Sequence, residues 1–149
     1  MPAIREILHP TDFSTGAAQA FEMAIDVARR FEAHLTILHV SAPPVYIGHF
    51  GDGYGMSTEQ LAMLKADQDR YLDQFRARAL EAGVPCTTVS IEGFANEAIV
   101  EQAAARNIDL IVLGTHGRTG LGRLLLGSVA ERVLRAAKCP VLTVRHPTA

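Results

Sequence analysis

The residues best suited to chemistry lie in one stretch, Gly114-Thr-His-Gly117-Arg-Thr-Gly-Leu-Gly-Arg-Leu-Leu-Leu-Gly127-Ser128, directly after the apolar run Asp109-Leu-Ile-Val-Leu113. A buried strand running into a glycine-rich basic loop, and from there into a helix, suits an anion of the phosphate type. Glycines let main-chain N–H groups approach without a Cβ in the way. The first turn of the following helix adds unpaired N–H groups and a favourable dipole. No acidic residue lies between Asp109 and Glu131, while Arg118 and Arg123 are cationic, so the loop has the sign an anion requires.

Standard phosphate motifs are absent. There is no Gly-Lys pair for a Walker loop, and Gly117, Gly120 and Gly122 do not fit the spacing Gly-x-Gly-x-x-Gly. What stands here is Gly-x2-Gly-x9-Gly-Ser, formed by Gly114, Gly117, Gly127 and Ser128. Each residue also has a plainer reading. Ser128 with Glu131 spells a Ser-x-x-Glu capping box, Gly114 and Gly117 could serve tight turns, and Asp12 could cap the first helix. Arg118 and Arg123 could be solvated, and His116 is read as exposed. The six histidines show no metal-ligand spacing, and His9, His34 and His39, flanking strands, read as satisfied structural groups. Ser14, Ser128 and Cys139 have no visible base partner and no Gly-x-Ser-x-Gly elbow occurs, which argues against nucleophilic catalysis.

The elements that must position this loop alternate regularly. Apolar runs at Ile4–Leu8, His34–Val40, Cys86–Ile91, Leu110–Leu113 and Val141–Arg145 predict five strands. Helical spacing predicts a first helix with Ala17, Phe21, Ala24, Ala28 and Phe31 inward. A second runs from Thr58 to Ala82 with Leu61, Leu64, Tyr71, Leu72, Phe75 and Ala79 on its inner face, closed by Gly83 in the left-handed conformation. Two further helices are expected at Ala95–Arg106 and Ser128–Lys138. The Pro- and Gly-rich segment 42–58, with Tyr46, Phe50 and Tyr54, fits neither element, and a loop of this length is functional or mobile. Strands separated by helices predict an α/β fold with a doubly wound parallel sheet covered on both faces. The order 3-2-1-4-5 would bring Pro10, Thr11 and Asp12 into one crevice with residues 114–128.

At 149 residues the chain reads as one domain, 1–149. Its 48% hydrophobic and 20% charged residues are globular proportions, and a net charge of −2 argues against a nucleic-acid binder. No apolar run approaches the roughly 18 residues of a membrane helix. The opening Met-Pro-Ala-Ile-Arg-Glu does not resemble a signal peptide. Cys86 and Cys139 read as separate thiols, and the expected location is cytoplasmic.

Taken together, the Gly-x2-Gly-x9-Gly-Ser spacing, the opening strand ending Pro10-Thr11-Asp12-Phe13-Ser14, Leu38-His39-Val40 and the closing Cys139-Pro140-Val141-Leu142 closely resemble the nucleotide-binding members of the universal stress protein family. The resemblance covers essentially the whole chain and implies a Rossmann-like fold of the adenine nucleotide alpha hydrolase type. It implies ATP as ligand, with Mg²⁺ carried on its phosphates. The implied binding residues are Pro10, Thr11, Asp12, Val40, Leu113, Gly114, His116, Gly117, Arg118, Gly127, Ser128 and Val129. In this scheme Asp12 meets the ribose, the Val40 main chain holds adenine and the loop wraps the phosphates. It also implies a homodimer through the last strand, with Val141, Leu142 and Val144, which the predicted order places at a sheet edge. The expected function is regulatory: ATP acts as a conformational ligand for an unknown protein partner, with hydrolysis slow or absent, since no water-activating base is visible. The alternatives are a dimeric interaction module that binds no nucleotide and an adenylyl-transfer enzyme on the related scaffold.

Overall fold

The computed structural model describes residues 3–43, 56–115 and 126–145. Among these residues nine elements alternate: β1 (Glu6–Pro10), α1 (Thr15–Phe31), β2 (His34–Ser41), α2 (Thr58–Glu81), β3 (Cys86–Glu92), α3 (Ala95–Ala105), β4 (Leu110–Gly114), α4 (Ser128–Ala136) and β5 (Val141–Val144). The strands form one sheet in the order β3-β2-β1-β4-β5, with every neighbouring pair parallel. The predicted 3-2-1-4-5 order is therefore the observed one, and the direction of winding reverses between β1 and β4.

Successive strand residues point to opposite faces, which divides the core in two. Ile7, Leu35, Ile37 and Val112 pack on one face beneath α1 and α2, against Phe21, Ile25 and Leu72. Leu8, Leu38, Ile111 and Leu113 pack on the other beneath α3 and α4, against Ile99 and Val133. Both faces being covered is the reason the strands read as continuous apolar runs.

Side-chain caps set several boundaries. Ser14 Oγ accepts the Ala17 N–H at 3.2 Å and starts α1. Ser57 and Gln60 form a reciprocal capping box at the start of α2, with bonds of 2.8 and 3.1 Å. Gly83 takes φ +80 after α2 as predicted, and Val84 N–H closes back onto Ala79 O at 2.9 Å.

Four boundary or packing expectations change. β1 runs over Glu6–Pro10, two residues later than Ile4–Leu8, because the Asp109 carboxylate takes the Arg5 and Glu6 N–H groups at 2.9 Å each. Beyond Leu8 the strand continues by pairing His9 and Pro10 with β2. Phe31, the last residue of α1, is 53% exposed, since it lies at the exit into β2 and not over the sheet. On α2 only Leu72 and Ala79 are buried, and Tyr71 is 45% exposed. That helix is about 36 Å long against about 26 Å for the eight-residue β2 it covers, so its N-terminal half overruns the sheet. Finally, α4 ends at Ala136 and not Lys138, because the chain turns extended at Ala137 to reach Cys139-Pro140.

Gly83 has open space where a Cβ would stand, so its glycine serves conformation alone. Gly83→Ala should lower the urea-unfolding stability by about 1–2 kcal/mol, the left-handed penalty of an L residue. A loss of much more than this, or none, would contradict the conformational account.

Candidate functional site

A cleft of about 370 Å³ opens where β1 and β4 diverge, at the carboxyl ends of the strands. Pro10, the last residue of β1, forms its floor with Thr11 and Asp12, Leu38 and Val40 its β2 side, and Leu113, Gly114 and Thr115 its β4 side. The N-terminus of α4, Gly127 to Ala130, closes one end. This is the position at which open α/β sheets bind ligands. Every residue expected from the sequence that falls among the described ones (Pro10, Thr11, Asp12, Val40, Leu113, Gly114, Gly127, Ser128 and Val129) lines this cleft. His116, Gly117, Arg118, Arg123, Tyr46, Phe50 and Tyr54 lie outside the described residues.

The turn after β1 is built from side-chain oxygens that accept main-chain protons. Thr11 Oγ1 takes the Phe13 N–H at 3.1 Å and Asp12 Oδ1 takes the Ser14 N–H at 3.0 Å. Ser14, not Asp12, caps α1. The reading of Asp12 as a helix cap is thereby corrected, since its carboxylate lies two residues outside the helix and braces the turn instead. Phe13 sits at φ 63, a conformation bulky residues rarely adopt. Its ring is held by His39 at 4.5 Å, Tyr71 at 5.1 Å and Phe75 at 5.8 Å. Aromatic packing beneath the sheet thus fixes the backbone turn that places Asp12 in the cleft. Nothing in the sequence signalled that conformation.

At the other end, the capping-box reading of Ser128 and Glu131 is also corrected. Gly127 is the N-cap of α4 and makes no side-chain bond. Ser128 is already the first helical residue, so its hydroxyl is past the position from which a cap side chain reaches back, and Glu131 pairs with Arg135 at 2.9 Å. Glu131 N–H returns to Gly127 O at 2.9 Å, leaving the N–H groups of residues 128–130 without intrahelical acceptors at the cleft. Gly127 has φ −60 and Gly114 is a strand residue, so the tight-turn reading fails for Gly114. Both are glycines bordering a cavity. Sequence reasoning missed Ala17, Leu38, Ala95, Ile99, Thr115 and Ala130, which also line the cleft. Their signal was ordinary core periodicity, which does not separate a cavity wall from packed interior.

Two buried histidines lie under the floor. His9, 0% exposed, bonds the Val112 carbonyl through Nδ1 at 2.9 Å, and His39 bonds the Thr11 carbonyl through Nδ1 at 3.0 Å. A carbonyl only accepts, so each Nδ1 carries the proton. His9 Nε2 is buried without a partner among the described residues, which corrects the expectation of a fully satisfied group. Burial lowers the His9 pKa to about 4, against smaller opposing effects of Val112 and Asp12. His34 is fully engaged, with Glu6 at 3.0 Å and Thr87 at 2.9 Å.

No group of three metal-ligating side chains occurs among the described residues. Cys86 lies on β3 and Cys139 leads into β5, at opposite sheet edges about 19 Å apart by strand spacing. That separation excludes a bond between them. Burial pushes the Cys86 thiol up to about 11 and raises that of Cys139. No helix among the described residues is long and apolar enough to cross a membrane.

The family model described as Universal stress protein family matches residues 3–145. The chain belongs to the universal stress protein family. Universal stress protein MJ0531 of Methanocaldococcus jannaschii is 39% identical over 143 residues, covering 96% of this chain and 83% of the relative. Among solved structures, the protein MJ0577 superposes with a TM-score of 0.84 at 26% identity, covering 99% of this chain and 100% of that one. A universal stress protein solved in complex with cAMP superposes at 0.73 and 26% identity, covering 97% and 98%.

The site of this universal stress protein carries a pH signature. A histidine whose pKa falls on folding from 6.5 to about 4 adds stability that is complete above pH 6.5 and is lost as pH falls toward 4. Between pH 7 and pH 4.5 His9 should account for about 2–3 kcal/mol of lost stability. Urea unfolding of the wild type and His9→Gln at both pH values checks this. Equal losses in the two proteins would remove His9 as the cause.

Proposed function

We propose that this universal stress protein binds ATP in the cleft between β1 and β4, and that the nucleotide acts as a conformational ligand and not as a substrate for rapid turnover. The observation that carries this reading is the convergence on one cavity of Asp12, the Val40 main chain, two glycines and the open first turn of α4. Adenine lies toward Val40, the ribose hydroxyls toward the Asp12 carboxylate, and the phosphates toward Gly114 and the Gly127–Ser128 helix start. A carboxylate suits paired hydroxyls, and a helix N-terminus suits phosphate oxygens. The absence of Cβ atoms at residues 114 and 127, where backbone conformation does not demand glycine, gives the phosphates close access to main-chain N–H groups. Mg²⁺ would arrive on the phosphates, with no dedicated protein cage. The cAMP complex of a family member with the same fold supports an adenine nucleotide here.

Among the described residues that line the cleft, Asp12 is the one ionisable side chain, and it braces a turn through Ser14. It is committed to that turn and to the ribose end, away from the phosphates. That supports slow or absent hydrolysis.

We further propose a homodimer through β5. The strand is at the sheet edge with Val141, Leu142 and Val144 half-buried. Ile111 N–H reaches Pro140 O and Thr115 N–H reaches Val144 O, so residues 140, 142 and 144 face β4. The polar main-chain groups of Val141 and Thr143 face outward, ready to pair with a second copy.

Calorimetric titration with ATP and Mg²⁺, with GTP as control, tests the nucleotide. Micromolar ATP binding is expected, and Asp12→Asn, which keeps the acceptor for Ser14 but loses the charge, should weaken it about tenfold, or about 1.4 kcal/mol. No binding at millimolar ATP would sink the reading and favour a dimeric interaction module. For the dimer, light scattering should give twice the chain mass. Thr143→Pro, which removes an outward N–H and leaves the β4 side intact, should halve it.

A further inference from the structure

The two buried histidines sit where the sheet's hydrogen-bond ladders stop. His34 N–H bonds Arg5 O at 2.8 Å and Thr11 N–H bonds Leu38 O at 2.8 Å. Alternate residues of a strand turn their main-chain groups to opposite neighbours. Residues 7, 9 and 11 therefore face β2, while Leu8 and Pro10 face β4. On the β4 side, pairing is confined to Ile7 with Leu110 and Leu8 with Ile111. The next rung would run from the N–H of residue 10 to the Val112 carbonyl, but residue 10 is proline and has no proton to give. The Val112 carbonyl takes its hydrogen bond from His9 Nδ1 instead.

The same substitution occurs on the β2 side. The rung after Thr11–Leu38 would run from Val40 N–H to the Thr11 carbonyl. That carbonyl is bonded by His39 Nδ1, and Val40 N–H has no acceptor among the described residues. Without His9 the Val112 carbonyl would end its ladder with no donor, a costly state for a buried polar group, whereas without His39 the Thr11 carbonyl would take the Val40 N–H. Val40 itself lines the cleft.

We propose that His9 and His39 are positioning residues of the cleft: each imidazole occupies the last carbonyl of a strand pair, His9 where Pro10 stops the β1–β4 ladder and His39 in place of the next β1–β2 rung, which leaves the Val40 N–H as a main-chain donor for a planar heteroaromatic base. The ligand half of this statement rests on the nucleotide reading of the cleft; the ladder half stands on the hydrogen-bond pattern alone. Histidine suits the task because Nδ1 lies close to the backbone, the ring is flat enough to lie under a helix layer, and a single tautomer serves. His39 is further held by Phe13, which ties the device to the turn carrying Asp12.

Amide hydrogen exchange followed by NMR on the nucleotide-free protein tests the ladder half. The Val40 amide is expected to exchange about 100-fold faster than the Leu38 amide of the same strand, as an unpaired group does beside a paired one. In His39→Phe, which keeps a ring against Phe13 but has no donor, Val40 re-pairs with the Thr11 carbonyl and its exchange slows at least about tenfold. His39→Asn restores a donor at the δ position and returns fast exchange. Imidazole ¹⁵N shifts of the wild type should show both rings as the Nδ1–H tautomer. A Val40 amide as protected as Leu38 in the wild type, or unmoved in His39→Phe, overturns the proposal whatever the ligand does. ATP titration of the same proteins tests the ligand half, with affinity about tenfold weaker in His39→Phe and near wild type in His39→Asn. Equal ATP affinities with the expected exchange pattern would sever the histidines from ligand binding. ATP binding by none of the proteins would overturn the nucleotide reading and leave the ladder result standing.

Discussion

A parallel sheet must end its hydrogen-bond ladders somewhere, and in this chain everything at the site depends on how they end around β1. Connections leaving β1 cross one face through α1, while those leaving β4 cross the other through α4. The two strands therefore separate at their carboxyl ends, and main-chain groups that would have paired are exposed along the gap. An orphaned buried carbonyl is costly. Proline at residue 10, imidazoles on His9 and His39, and the short bonds of Thr11, Asp12 and Ser14 all answer that same problem with different chemistry.

The answers are layered by face. On the α1 and α2 side lie the imidazoles and the Phe13, Phe75 and Phe21 rings, with Phe21 and Phe75 stacked at 4.6 Å. They form a dense support in which Phe13 keeps an otherwise unfavourable backbone angle. The α3 and α4 side holds the small or absent side chains of Ala95, Gly114, Gly127 and Ser128 that leave room for the cavity. Rigidity beneath and space above are two uses of one sheet edge.

Much of this architecture was legible in the residues, for a physical reason. Burial on both faces makes Leu35 to Val40 or Leu110 to Leu113 almost uniformly apolar, and helical spacing between such runs leaves the parallel doubly wound sheet as the economical arrangement. The cleft-lining residues after β1 and β4 were legible because strand order alone brings those two strand ends together. Other features depend on coordinates. Ser128 and Glu131 match a capping pattern that four residues of sequence cannot distinguish from a helix that already begins at Ser128, with Gly127 as its cap. The exposed half of α2 follows from a mismatch of lengths between elements distant in sequence. The roles of His9 and His39 require knowing which side of β1 each N–H faces, and that is a property of register. Phe13 in the left-handed region has no sequence signature at all.

The pair of raised thiol pKa values has a consequence for how this family member responds to its surroundings. At neutral pH a thiol with a pKa near 11 is ionised in about one molecule in 10⁴, and the thiolate is the form that oxidants attack. Cys86 is thus chemically quiet, and its distance from Cys139 across the sheet denies it a resolving partner. Peroxide or disulfide reagents therefore find little to oxidise at Cys86, and neither cysteine lines the cleft between β1 and β4, so thiol oxidation has no direct route to its walls.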